Sequence, residues 1–143
     1  MAKAIGPQNT VGAQFSGPFV LSAALTDGAV TWDSYARLQD PEIRRLMQKV
    51  ECVHDPDIEA EFPANMSAAV TITARGTTFQ RKVVTPFGEP DNFPSRLALV
   101  EKFESLAIPV LGSSAAQTLA ASLLDLASLK DIRGLSTLAQ PAL

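Results

Sequence analysis

The chain has 143 residues, of which 46% are hydrophobic, and this is enough to bury a core without disulfides or metals. Its net charge is -3 and its 12 basic residues are scattered, which excludes nucleic acid as an expected partner. One cysteine excludes an internal disulfide framework, and no basic stretch followed by an apolar run opens the chain, so we expect a cytoplasmic protein.

The first predicted helix follows an extended lead-in at residues 1–12. Ser16 is expected to cap this helix, because Pro18 is tolerated in a first turn. Asp27-Gly28 is a typical helix end. The middle of the helix, FVLSAAL, is apolar on nearly every face, which predicts that it is either wholly buried or packed against other groups on both sides.

A second, amphipathic helix is predicted from Asp40 onwards, because Asp-Pro-Glu is a strong start signal. Arg44 and Arg45 fall on its polar outer face, and its apolar stripe comprises Ile43, Leu46, Met47 and Val50. The next stretch, VECVH, alternates in polarity and predicts a short strand. The acidic segment DPDIEAEFPA then predicts turns.

The stretch AAVTITARGTTFQRKVV predicts a β-hairpin that turns at Arg75-Gly76. In that register Ala74 faces Thr77, Ile72 faces Phe79, Val70 faces Arg81 and Ala68 faces Val83. Nearly all of the apolar partners therefore share one face of the sheet.

Three helices are predicted after the loop TPFGEPDNFPS, which contains three prolines. Ser95 is expected to cap the first helix and Pro109 to end it. Ser113 or Ser114 is expected to cap the second, and Asp131 to open the last.

This order of elements predicts an α+β fold in which a small antiparallel sheet carries helices packed on one face and is followed by C-terminal helices. We expect one domain over residues 1–143, divided into the lead-in at 1–12, an α+β core at 13–112 and C-terminal helices at 113–143. The uncharged run at residues 106–124 is too polar and interrupted for a membrane span, so no membrane partner is expected.

Candidate chemical groups are few. His54, in HDPD, fits a metal or acid–base role less well than a solvated turn residue, because metal sites need convergent ligands. Cys52 lacks a histidine placed to activate it, which favours a small core residue over a nucleophile. Ser16 lies where helix N–H groups favour anions such as carboxylates, although a plain helix cap is the commoner role.

Four stretches follow one another in a characteristic order: AQFSGPFVLSAALTDG, DPEIRRLMQKVECVHDPDIEAEFPA, AAVTITARGTTFQRKVVTPFGEPDN and LVEKFESLA. Together they resemble the C-terminal part of the MmgE/PrpD family. The most specific features are the hairpin with its glycine turn, the P-x-G-x-P-x-N loop and the K-F helix.

The family includes enzymes similar to 2-methylcitrate dehydratase, cis-aconitate decarboxylase and iminodisuccinate epimerase. The resemblance implies proton removal or addition beside a carboxylate of a small di- or tricarboxylate, with no metal or other cofactor. It also implies a large helical domain, a smaller α+β domain that closes over the cleft between them, and a homodimer.

Two departures from the family pattern affect the expected chemistry. The decarboxylase-like members have the motif A-R-H-S, whose histidine enters the cleft, and the matching residues here are Ala13, Gln14, Phe15 and Ser16. Phe15 cannot transfer a proton, which argues against a cis-aconitate decarboxylase mechanism. The helical domain that supplies most of the acid–base residues has no counterpart in these 143 residues. In the loop, Asn92-Phe93-Pro94-Ser95 replaces the usual N-P-L-S.

The sequence therefore predicts the lid subunit of a split dehydratase or isomerase, inactive without a separate helical-domain subunit. The alternatives are a non-enzymatic, homodimeric binding or structural module, and a truncated remnant of the family. Gln14 and Ser16 are expected to bind a substrate carboxylate, and Gly88 to flank the cleft. We predict no catalytic or metal-binding residue in this chain.

Overall fold

The computed structural model describes residues 6–141, and the chain divides after Pro56 into two compact units. Helices make up the first unit, and the second contains a two-stranded antiparallel sheet followed by helices. The α+β class with a small antiparallel sheet and C-terminal helices is confirmed. The single domain over residues 1–143 stays a prediction. No helix in residues 6–141 combines the length and hydropathy needed to cross a membrane.

The first unit contains helices α1 (Thr10–Gln14), α2 (Gly17–Asp27), a 3-10 helix (Trp32–Arg37) and α3 (Pro41–Met47). The lead-in at residues 1–12 is not extended throughout, because α1 begins within it. The Asn9 side chain accepts a hydrogen bond from the Gly12 N–H at 2.8 Å and so stabilises the first turn. Residues 1–5 of the lead-in lie outside the described part of the chain.

Both ends of α2 lie where the sequence predicted them. The Ser16 hydroxyl accepts a hydrogen bond from the Phe19 N–H at 3.3 Å, and Pro18 occupies the first turn. Gly28 ends the helix in the left-handed conformation, with φ 77°, which glycine adopts without steric penalty.

The core of the first unit lies between α2 and α3. Phe19 is fully buried and stacks on Tyr35 with 5.9 Å between ring centroids. The buried apolar residues around it are Ala13, Ala23, Leu38, Ile43 and Met47. The opposite side of α2 is open, since Leu25 is 51% exposed, so burial on every face is not observed.

The α3 helix starts as predicted, with Asp40 at the cap: its carboxylate accepts hydrogen bonds from the N–H groups of Glu42 at 2.8 Å and Ile43 at 3.2 Å. The strand predicted for VECVH is wrong, because residues 50–55 have no regular secondary structure. Val53 is 76% exposed, so the alternating polarity of this segment does not correspond to a buried sheet face.

The short helix α4 (Pro56–Glu59) spans the boundary, since Pro56 is the last residue of the first unit. The second unit continues with strands β1 (Ala68–Ala74) and β2 (Thr77–Val83). The predicted register is confirmed, from Ala74 opposite Thr77 to Ala68 opposite Val83. Arg75 and Gly76 both have positive φ, 52° and 78°, as the two-residue turn of a hairpin requires. The apolar face is largely open to solvent: every β2 residue is exposed.

The loop after β2, residues 84–95, is internally bonded. It contains a 3-10 helix (Pro90–Asn92), and the Asn92 side-chain amide donates to the Thr85 carbonyl at 2.9 Å. Helix α5 (Arg96–Leu111) follows, capped as predicted by the Ser95 hydroxyl, which accepts from the Ala98 N–H at 3.1 Å.

The predicted end of α5 at Pro109 is wrong. The proline lies inside the helix, which continues to Leu111 and ends at Gly112 with φ 78°. Proline removes one N–H donor and disfavours helical geometry in the residue before it, so its usual effect is a kink or a break. Here the last turn closes beyond it, because the Gly112 N–H donates to the Ile108 carbonyl at 2.9 Å.

Helix α6 (Ser113–Leu124) begins directly after α5 and packs against it. Gly112, and not Ser113 or Ser114, holds the cap position, since both serines are already helical. A 3-10 helix (Leu126–Ser128) leads to α7 (Arg133–Leu138), whose Arg133 N–H donates to the Asp131 carboxylate at 2.9 Å. Asp131 therefore contacts the first turn as expected, although Ile132 stands at the boundary.

Candidate functional site

The first unit contains a groove with a volume of about 870 Å³. It lies beside the junction of α1 and α2, and residues from α3 and the segment after it complete its walls. The lining groups that carry its chemistry are Phe15, Ser16, Gly17, Arg44, Met47 and Cys52. We call this feature the α2 groove.

One wall of the α2 groove is the N-terminal end of α2. Ser16 is half-buried, its hydroxyl is used by the cap, and its carbonyl accepts from the Val20 N–H at 2.9 Å. Pro18 has no N–H. Within residues 6–141, the Gly17 N–H is therefore the first-turn donor that has no hydrogen-bond acceptor in the cap or in the helix.

Arg44 supplies the positive charge of the groove. Its guanidinium donates to the Gln39 side-chain carbonyl at 2.9 Å and to the Pro7 backbone carbonyl at 3.4 Å, both of which are neutral acceptors. It forms no ion pair within the described residues. Among the described residues the charge of Arg44 is thus uncompensated, and it lines the same groove as a helix N-terminus, which is an arrangement that attracts a carboxylate.

Sequence reasoning missed Arg44, because the helical pattern of α3 placed it on the solvent face. The side chain instead turns towards the segment before α1: a Cβ added to Gly6 would meet Arg44 Nη1 at 2.7 Å. No local motif encodes this contact, which joins segments far apart in the chain. A glycine at position 6 is the one sequence feature that permits so close an approach.

The three predicted binding residues have different outcomes. Ser16 lines the α2 groove. Gln14 ends α1, is exposed, and is not among the groove-lining residues of the described chain. Gly88 belongs to the second unit, where it is exposed, has φ 110°, and donates its N–H to the Asn92 carbonyl at 3.0 Å. The structure therefore brings Ser16 together with Arg44 in the α2 groove, while substrate binding by Gln14, Ser16 and Gly88 stays a prediction.

Cys52 and His54 lie in the irregular segment after α3. Cys52 is exposed and not in the core, contrary to the favoured prediction, and its Sγ lies 3.5 Å from the position of a Cβ added to Gly17. His54 is exposed as well. In residues 6–141, no group of three or more His, Cys, Asp or Glu side chains is placed to hold a metal ion.

The carboxyls with perturbed acidity lie outside the α2 groove. Hydrogen bonds from Arg37, and then from the Ile43 N–H, lower the pKa of Asp40. A hydrogen bond from Lys82, reinforced by one from Ser67, lowers the pKa of Glu61. The groove itself has only Arg44 and Cys52 as ionisable lining side chains among the described residues, so its geometry suits the binding of an anionic group better than proton transfer.

Comparison with known proteins assigns the chain to a family. Residues 2–127 match the MmgE/PrpD C-terminal domain. The chain belongs to the MmgE/PrpD family.

Two curated relatives of this MmgE/PrpD chain are cis-aconitate decarboxylases. The human protein is 28% identical over 135 residues, which cover 88% of this chain and 27% of the human sequence. The Mus musculus protein is 29% identical over 135 residues, which cover 92% of this chain and 28% of the mouse sequence. The chain thus spans about a quarter of the length of these relatives.

Proposed function

We propose that this chain is the C-terminal lid domain of an MmgE/PrpD-type dehydratase or isomerase that acts on small di- or tricarboxylates. In this proposal the α2 groove holds one carboxylate group of the substrate. The supporting observation is that Arg44, which has no ion pair among the described residues, lines the same groove as the N-terminus of α2. A charge-assisted hydrogen bond to a carboxylate is among the strongest polar contacts.

The chain by itself is expected to bind without catalysis. The proposed chemistry needs an acid–base group near the carbon beside the carboxylate. Phe15 lines the groove at the position where the decarboxylase-like pattern has a histidine, and it is 86% exposed. A separate helical-domain subunit would supply the acid–base groups. In this proposal the assembly is cytoplasmic.

Carboxylate binding is tested by titrating the isotopically labelled chain with citrate and following its amide and arginine signals by NMR. We expect the largest shifts at Gly17 and Arg44, with weak binding on the order of 1 mM for one charged contact group. Arg44→Gln should weaken binding about tenfold. The matched control is Arg45→Gln, whose side chain is exposed and already paired with Glu42. Equal effects of the two substitutions would contradict the proposal.

The need for a partner is tested by assaying the purified chain, alone and with proteins that co-purify from its host, for water loss or proton exchange on citrate-like acids. We expect turnover only in the mixture. Turnover by the isolated chain would show that the helical-domain subunit is not required.

The second candidate is a non-enzymatic homodimeric module. It is favoured by the open apolar face of the hairpin, where Phe79 is 59% exposed. A tight dimer without citrate binding or partner-dependent turnover would support this candidate over the lid domain.

A further inference from the structure

The polar groups of the α2 groove can hold one anionic group. Among the described residues Arg44 is its only charged lining side chain apart from the thiol group, and no Asp or Glu lines it. The Ser16 hydroxyl already accepts a hydrogen bond from the Phe19 N–H. The Pro7 carbonyl already accepts one from Arg44. The donors left for a ligand in residues 6–141 are therefore the Arg44 guanidinium and the Gly17 N–H.

Much of the remaining lining of the α2 groove is apolar. Phe15 is 86% exposed, so most of its aromatic surface is open to a ligand. Met47 Cε and Arg44 Nη1 both lie 2.7 Å from the position of a Cβ added to Gly6, which places an apolar tip beside the charged head. The other apolar lining residues are Pro7, Pro18 and Val50. A ligand held at Arg44 therefore has apolar surface next to its charged group.

The α2 groove is larger than a single carboxylate group. Its volume of about 870 Å³ falls within the range of small-molecule sites, roughly 300–1,000 Å³. A second carboxylate of the same ligand would meet apolar side chains without a cation, and an unpaired charge against apolar surface is unfavourable. An alkyl or aryl group in its place would remove apolar surface from water on the ligand and on the protein, which is favourable.

We propose that the α2 groove binds a carboxylate that bears an apolar arm longer than a methyl group, with the arm lying against Phe15 and Met47. This specificity rests on the proposed function, because the arm extends from the carboxylate that the groove holds there. It narrows the substrate from small di- or tricarboxylates in general to those with an alkyl or aryl substituent. The other carboxylates of such a substrate lie outside the groove, where the helical-domain subunit would bind them.

Three acids that share one scaffold separate the effect of charge from that of apolar area. They are succinate, tricarballylate, which is succinate with a carboxymethyl arm, and butylsuccinate, which has an alkyl arm. NMR titration of the full chain should give dissociation constants on the order of 1 mM for succinate and tricarballylate. We expect butylsuccinate to bind about tenfold more tightly, because each fully buried CH₂ strengthens binding by about fourfold and a groove leaves part of the arm in water. Methylsuccinate should bind with an intermediate affinity.

Cys52 can report where the ligand binds. It is the single cysteine of the chain, it is exposed, and it lines the groove. Its Sγ lies 3.5 Å from the position of a Cβ added to Gly17. Alkylation of Cys52 by the uncharged reagent N-ethylmaleimide should therefore slow as butylsuccinate fills the groove, at the concentrations that shift the NMR signals. NMR shifts without protection of Cys52 would place the acid elsewhere on the chain and overturn the proposal.

Phe15→Ser removes the exposed aromatic ring from the groove. The matched control is Phe93→Ser, since Phe93 is also exposed and is not among the groove-lining residues of the described chain. We expect Phe15→Ser to reduce the preference for butylsuccinate over succinate from about tenfold to about threefold or less, and Phe93→Ser to leave it near tenfold. Circular dichroism verifies that both variants are folded. Equal preferences in the two variants would refute the proposed position of the arm.

Arg44→Gln distinguishes failure of the apolar arm from failure of the proposed function. If none of the acids binds, or if Arg44→Gln leaves the binding of all three unchanged, the proposed function fails and the apolar arm fails with it. If the three acids bind with equal affinity and all depend on Arg44, the groove holds a carboxylate but the apolar arm is refuted. Tighter binding of tricarballylate than of butylsuccinate would also refute the arm, because it requires a second contact for a charged group.

Discussion

Arg37 donates two hydrogen bonds to one oxygen of Asp40, from Nε at 3.2 Å and from Nη2 at 2.6 Å. The other carboxylate oxygen of Asp40 accepts from the backbone at the start of α3. Arg37 also bonds Asp27, the last residue of α2. One arginine thus links the end of α2 to the cap of α3, the two helices that enclose the core of the first unit.

Acid should destabilise the first unit through Asp40. Its pKa is lower in the folded chain than in the unfolded chain, chiefly because Arg37 donates to the charged form. The stabilisation is therefore fully present above the unfolded pKa of about 3.9 and is lost as the pH falls through the folded value. Asp40→Asn should flatten the decline between about pH 5 and pH 2, measured by urea unfolding at a series of pH values. Asp33→Asn, at a residue without an ion pair in the described chain, is the control.

Ser16 should contribute to stability and to anion binding in separable ways. Ser16→Ala removes the cap and should lower the free energy of unfolding by about 1 kcal/mol. Ser16→Asp keeps a capping oxygen but adds a negative charge to the α2 groove, so stability should persist while citrate binding is lost. Ser95→Ala, at the cap of α5, should cost similar stability without affecting citrate binding. Retention of citrate binding in Ser16→Asp would contradict this assignment.

Phe19 should dominate the core of the first unit. It is 0% exposed and stacks on Tyr35, so Phe19→Ala should lower the free energy of unfolding by about 3–5 kcal/mol. Phe93→Ala is the control, since Phe93 is 67% exposed, and its effect should stay within about 0.5 kcal/mol. Chemical denaturation followed by tyrosine and tryptophan fluorescence measures both. Comparable losses in the two variants would show that the buried stack contributes little.

Substitution by alanine should change stability in opposite directions at two glycines. Gly76 has φ 78° in the hairpin turn, so Gly76→Ala should destabilise the hairpin by roughly 1 kcal/mol, although a Cβ there meets no atom within 4 Å. Gly134 lies in α7 with open space around it, so Gly134→Ala should stabilise that helix by about 0.5–1 kcal/mol. Thermal melts followed by circular dichroism test both signs.

The sequence by itself determined the features that depend on neighbours a few residues apart. The hairpin register follows from a two-residue turn and alternating polarity, and the caps at Ser16, Asp40 and Ser95 follow from side chains that reach the next turn. The ordered motifs were also sufficient to predict the family. Such signals can be read locally, because the groups that satisfy them are close in the chain.

Tertiary structure decided what depends on distant segments. Arg44 lines the α2 groove because the segment at Gly6 approaches it, and residues 50–55 stay irregular although their polarity alternates. A local pattern states which conformation a segment prefers, but partners that are remote in sequence determine which side chains are buried, paired or left in a groove.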